Sequence, residues 1–232
     1  MMDTRVEQLR ASSGEANTHG LSDELVDSFL KIDPNLGTAL DLAIKARENL
    51  DDEVEDLLLK LTESQFASEL QKDFVNFYEP STVNPYIPLA AKGPWIITTH
   101  GAVVHDNGGY GMLGMGHDPT EVMSSMSESH VMANVMTPSV THKRFADTLK
   151  REVGHTRGTC PFDRFICMNS GSESVTVAMR ISDINARLMT DQDGPHHGKE
   201  IWTVALDSGF HGRTDRPASI SSSCLPKYQK KL

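Results

Sequence analysis

The tightest constraint on this chain is a short apolar segment, 165–168, that stops at Asn169-Ser170-Gly171-Ser172-Glu173 and gives way to a helical repeat. Val177, Ile181, Ile184 and Leu188 recur at i, i+4, i+7 and i+11, one face of a helix over 173–188. Ser170 or Ser172 is placed to cap it, and Glu173 falls in the first turn, where the helix dipole favours negative charge. A second apolar run follows, Ile201-Trp202-Thr203-Val204-Ala205-Leu206. Strand, helix and strand in that order predict a βαβ unit with parallel strands and a right-handed crossover. That restricts the fold class to α/β.

Two loops then leave the same carboxyl edge of the sheet, where open α/β sheets bind ligands. The Ser-Gly-Ser turn gathers hydroxyls, unsatisfied N–H groups and the positive end of a helix dipole, which suits a phosphate. A serine-capped turn with no ligand is the plain alternative, because serine caps are common. The second loop, Asp207-Ser208-Gly209-Phe210-His211-Gly212-Arg213-Thr214, offers a ring, an imidazole and a guanidinium. Together they suit a phosphorylated planar cofactor, its phosphate on the first loop and its ring on Phe210. The lysine of a P-loop is absent. Met168 and Ser172 stand where a G-x-S-x-G hydrolase elbow needs glycine.

Upstream, residues 1–20 are polar and read as a flexible leader. A helical extension fills 21–78, with helices expected at 22–32, 38–49 and 51–61. Asp33-Pro34-Asn35 reads as a break, and Thr62-Glu63-Ser64-Gln65 as a capping box opening a fourth helix that ends near Phe77. Residues 79–118 read as a proline-rich connector and a β-hairpin, with strands at 95–99 and 102–106, a bend at Gly101 and a turn signal at Asn107-Gly108-Gly109. Gly109, Gly111 and Gly114 spell G-x-G-x-x-G, but the next helix opens only after Asp118-Pro119, so a dinucleotide site is rejected in favour of a glycine-rich loop. From 119 on, helices are expected at 119–132, with Val122, Met126 and Ser129 facing inward, and at 139–153, stopped by Gly154.

Composition excludes several partners. A net charge of −10 argues against nucleic acid or an anionic membrane. No run approaches the ~18 apolar residues of a membrane span, and the N-terminus lacks the apolar core of a signal peptide. Cys160, Cys167 and Cys224 are odd in number and match no zinc spacing, which suits reduced thiols in a cytoplasmic setting. The ten histidines show no close paired spacing either, so no metal site is expected.

Asn169-Ser170-Gly171-Ser172-Glu173 and Phe210-His211-Gly212-Arg213-Thr214, in this order, resemble the class III aminotransferases, pyridoxal-phosphate enzymes of fold type I. Gly101-Ala102-Val103-Val104-His105-Asp106 and Leu113-Gly114-Met115-Gly116-His117-Asp118-Pro119 are similar to that family's N-terminal hairpin and Leu-Gly-His-x-x-Pro segment, with Met115-Gly116 inserted before His117. The resemblance covers roughly residues 90–232. It implies a partial three-layer sandwich of parallel strands at 119–232, the incomplete cofactor-binding large domain of a fold type I transferase. It implies pyridoxal 5'-phosphate as cofactor, with Gly171 and Ser172 on the phosphate, Ser170 flanking, Phe210 stacked on the pyridine ring and His211 beside it. Ser174 replaces the family's usual alanine.

The resemblance further implies an amino donor and an oxo acid as substrates and a homodimer as the assembly. The family's Schiff-base lysine and the aspartate facing the pyridinium nitrogen lie well downstream of the Phe-His-Gly-Arg loop. The chain ends about twenty residues past that loop, and neither Lys199, before it, nor Lys227, Lys230 and Lys231, close after it, matches the lysine. No catalytic residue is therefore assigned, and the expectation is an N-terminal portion, inactive alone. The alternatives are a related aminomutase or decarboxylase, or a non-catalytic chain that pairs with a full-length subunit.

Overall fold

The computed structural model describes residues 3–75, 86–107, 114–131 and 136–222. They divide into two compact units, one drawn from Met1–Asn76 and Ser81–His130, the other from Phe77–Pro80 and Val131–Leu232.

The first unit begins with five helices. Helix α1 (Thr4–Ala11) is capped by Asp3, whose carboxylate accepts from the Arg5 N–H. Residues 4–11 were expected within a flexible leader, yet Val6 and Leu9 are fully buried in the core. Helices α2 (Asp23–Leu30) and α3 (Pro34–Glu48) follow. Asp33-Pro34, read from the sequence as a break, is where α3 starts. Asp33 is the N-cap, and Pro34 sits in the first turn, where its missing N–H costs nothing. Leu36, Ala39, Leu40 and Ala43 bury one helical face against the sheet. Helix α4 (Asp52–Lys60) is capped by Asp51. Helix α5 (Glu63–Gln71) opens with the expected capping box between Thr62 and Gln65 and ends short of Phe77.

Strands β1 (Pro88–Lys92), β2 (Trp95–Thr98) and β3 (Val103–His105) form an antiparallel sheet in that order. The hairpin β2–β3 was expected. β1 was not, because its prolines resemble a connector, but Pro88 opens the strand, a position that proline tolerates. Gly101 turns the hairpin at φ 72°, and a Cβ there would lie 2.7 Å from Arg10 Cγ. Trp95 ties the layers together. It is buried, its ring centroid is 5.0 Å from Phe29, and its indole N–H donates to Asp33 Oδ2 at 2.7 Å. One carboxylate thus caps α3 and anchors the central strand.

His117 extends this unit. It exchanges two backbone hydrogen bonds with Gly93, and its Nε2 lies 3.0 Å from Asp106 Oδ2. Helix α6 (Thr120–Met126) follows, shorter than expected. The predicted inward face is corrected. Val122 is only half-buried and Met126 is 70% exposed, because among the described residues no element packs extensively on α6, whose first residue, Thr120, accepts from Lys92 of β1. Of the G-x-G-x-x-G glycines, only Gly114 falls within the described residues, as does only Asn107 of the turn signal.

The second unit contains α7 (Val140–Gly154), capped by Ser139, then α8 (Gly171–Thr190) and α9 (Asp215–Ser219). α8 matches the helix read from the sequence, with Ser170 as its cap. The predicted parallel strands do not form. Segments 165–168 and 201–206 carry no ladder, and Ile166, Trp202, Val204 and Leu206 are largely exposed. Parallel strands are stable when buried on both faces between neighbours. Among the described residues no strand lies beside either segment, and the Ile181, Ile184 and Leu188 face of α8 is uncovered too. The described architecture is therefore mixed α/β with one small antiparallel sheet.

Candidate functional site

The site expected from the sequence lies where the 207–214 loop meets the first turn of α8. Ser170 adopts extended backbone as N-cap, and its Oγ accepts from the Glu173 N–H at 3.2 Å. Glu173 in turn accepts from the Asn169 N–H at 2.9 Å. This reciprocal cap uses the Ser170 and Glu173 side chains. The N–H groups of Gly171 and Ser172 lie in the first turn, where no intrahelical acceptor exists. A Cβ on Gly171 would meet nothing within 4 Å, so open space lies against that turn.

The loop is pressed onto the same turn by Gly212. Its φ is 113°, and a Cβ there would fall 2.6 Å from Ser172 Oγ and 2.8 Å from Ser172 Cα. Only glycine permits that approach. The Arg213 N–H then donates to Ser172 Oγ at 3.3 Å. Behind the loop, Ser221 is fully buried. Its Oγ accepts from the His211 N–H at 2.8 Å and has the Gly212 and Pro217 carbonyls at 2.7 and 2.9 Å to donate to. α9 is held against α8 by the Arg216–Asp183 ion pair. Neither Ser221 nor this ion pair was legible before folding. Ser221 sits in a featureless serine run, and Arg216 and Asp183 are far apart in the chain.

Phe210 is 57% exposed, with the Arg213 guanidinium 4.9 Å from its ring centroid. His211 Nε2 is buried and has no hydrogen-bond partner. The structure therefore joins Ser172 to Gly212 and Arg213 and puts Phe210 and His211 in the same loop. Ser170 serves the helix cap.

This donor set suits a phosphate monoester on a planar ring. First-turn N–H groups, a hydroxyl and the positive end of a 20-residue helix converge beside open space. Phe210 offers an accessible aromatic surface, and the unpartnered His211 nitrogen has hydrogen-bonding capacity to spare. Among the described residues, no group of three or more His, Cys, Asp or Glu side chains is placed to hold a metal ion, and no helix is long and apolar enough to cross a membrane.

Comparison with known proteins bears on residues of both units. A family model described as aminotransferase class III matches residues 77–231. Acetylornithine aminotransferase of Prochlorococcus marinus subsp. pastoris is 36% identical over 75 residues. That match covers 32% of this chain and 16% of the relative's length.

Proposed function

Because the chain belongs to the class III aminotransferase family, we propose that its second unit carries the phosphate-and-ring half of a pyridoxal-phosphate site. The reaction is transfer of an amino group between an amine or amino acid and an oxo acid. The observation that carries this reading is the meeting of the two motifs. Gly212 and Arg213 of the Phe-His-Gly-Arg loop close on Ser172 of the Ser-Gly-Ser turn, 41 residues earlier than Arg213. When bound, the cofactor supplies an electron sink for carbon–hydrogen bond cleavage beside the amine.

The chain's own residues bind and orient. The Gly171 and Ser172 N–H groups and the Ser172 hydroxyl hold the phosphate, Phe210 covers one face of the ring, and His211 borders it. Ser170 keeps the first turn in shape. The relative's name, acetylornithine aminotransferase, sets a precedent for an amino-acid-derived donor. A homodimer in the cytoplasm is the assembly and setting that the family suggests.

None of these residues is suited to move the substrate proton, which in this chemistry is the work of a lysine amine. The 232-residue chain is therefore expected to bind the cofactor without turning over. The test is incubation with pyridoxal phosphate, a panel of amino donors and an oxo acid. Absence of product, and of a persistent band at roughly 400–430 nm from lysine-held cofactor, agrees with this reading. Turnover would overturn it.

A second reading has its own support. Ile166, Trp202, Val204 and Leu206 are exposed on two unpaired extended segments. Such edges pair readily with other strands, which favours a chain that acts by joining another subunit. Co-expression with a full-length class III subunit and sizing of the product separates the two.

A further inference from the structure

Phe210 is loosely held for a residue that serves as a ring platform. More than half of its side chain faces solvent, so packing fixes it little. The Arg213 guanidinium, 4.9 Å from its ring centroid, belongs to the same loop and moves with it. An exposed side chain goes where its backbone takes it. Where the ring faces is therefore decided by the main chain of the 207–214 loop.

That main chain has an uncommon shape. Ser208 lies in the left-handed region at φ 60°, and Gly212 at φ 113°. A non-glycine residue there is strained and persists only where its surroundings enforce it. Residues 221–222 supply the enforcement. The Ser222 N–H donates to the Gly209 carbonyl at 2.9 Å. Ser221 Oγ accepts from the His211 N–H at 2.8 Å and has the Gly212 carbonyl as an acceptor at 2.7 Å. The pinned groups thus belong to the residue before Phe210 and to the two after it.

Ser221 is itself anchored. It is fully buried, and its Oγ lies 2.9 Å from the Pro217 carbonyl of α9, which the Arg216–Asp183 ion pair joins to α8. A line of contacts runs from α8 through α9 and Ser221 to the backbone on either side of Phe210. The phosphate turn is the start of that same helix. One helix therefore sets both halves of the site, the phosphate on its first turn and the ring through Ser221. Without the hydroxyl, the His211 N–H would lose its acceptor behind the loop, and a buried N–H without an acceptor drives its segment to rearrange.

We propose that Ser221 is a positioning residue for the ring half of the site: its hydroxyl fixes the main chain around Phe210 and so aims the Phe210 ring, without touching the cofactor. This role rests on the pyridoxal-phosphate reading of the second unit.

A double-mutant cycle on the 232-residue chain tests it, with the parent, Ser221→Ala, Phe210→Ala and the double variant each titrated calorimetrically with pyridoxine 5'-phosphate. That compound carries an alcohol in place of the aldehyde and forms no imine with lysines. Ser221→Ala and Phe210→Ala are each expected to weaken binding about five- to tenfold. The double variant is expected to bind within about twofold of Phe210→Ala, because Ser221 acts through Phe210. A role in stability alone would give the same loss in both backgrounds. Ser221→Cys, which keeps the side chain's shape and weakens its hydrogen bonds, replaces Ser221→Ala if that variant does not fold. Undiminished affinity in the Ser221 variant or in Phe210→Ala, or an equal Ser221 loss with and without Phe210, would overturn the role and leave the phosphate seat standing. A parent chain that does not bind pyridoxine 5'-phosphate would overturn the role and the cofactor reading together.

Discussion

Gly212 and Gly171 belong to the two motifs of the candidate site, yet they answer to different physics. At Gly212 the backbone sits at φ 113° and an added methyl would overlap Ser172. Gly212→Ala is therefore expected to lower stability by ~1–3 kcal/mol, seen as a lower thermal midpoint, together with weaker cofactor affinity. At Gly171 an added methyl meets nothing. Gly171→Ala is expected to leave stability within ~0.5 kcal/mol of the parent while weakening phosphate binding, because the methyl enters the open space. Equal stability of both variants would contradict the contact described at Gly212.

Asp33 supplies a second prediction at this scale. Burial pushes its pKa up, but the Trp95 and Asn35 N–H groups outweigh it and hold the carboxyl below its ordinary value near 3.8. A depressed folded-state pKa means that Asp33 stabilises the first unit fully above about pH 3.8, and that this contribution fades as pH falls through the folded-state value. Asp33→Asn should flatten that acid limb. Trp95 fluorescence in a Trp202→Phe background reports it, and an unchanged acid limb would remove Asp33 as its source.

Among the elements, α8 was the most legible from sequence, because its signals are local: a serine cap, an acidic first turn and four apolar residues on one face. Ser170→Ala is expected to cost ~1 kcal/mol and to speed amide exchange through the first turn of α8. Exchange unchanged at 171–176 would mean that the cap is not holding that turn. The failures were of two kinds. Asp33-Pro34 carries the signals of both a helix start and a break, and the structure resolves it as a start. Segments 165–168 and 201–206 have strand composition, but a strand is completed by its neighbours, which local pattern does not supply. Likewise α1 offers only Val6 and Leu9 as apolar anchors, and their burial depends on α3 and β2 much later in the chain. In the candidate site, the two loops were legible as motifs. Their junction through Gly212, and the support from Ser221, required the fold.

Across the whole molecule, the first unit has a closed core around Trp95, while the second exposes Trp202, Val204 and Leu206 on one segment and Ile181, Ile184 and Leu188 on α8. Exposed apolar side chains in such number favour association. Sedimentation of the 232-residue chain is expected to show concentration-dependent self-association, and Trp202→Lys with Val204→Lys should reduce it. A monodisperse monomer at all concentrations would contradict that. The central claim, that the α8 turn and the 207–214 loop form a phosphate-and-ring site, is met most directly by comparing pyridoxal phosphate with pyridoxal on the parent chain and on Ser172→Ala. The site predicts about tenfold or greater preference for the phosphorylated form, reduced several-fold by Ser172→Ala with pyridoxal affinity unchanged. Equal affinity for the two compounds, or a Ser172→Ala loss shared equally by both, would contradict it.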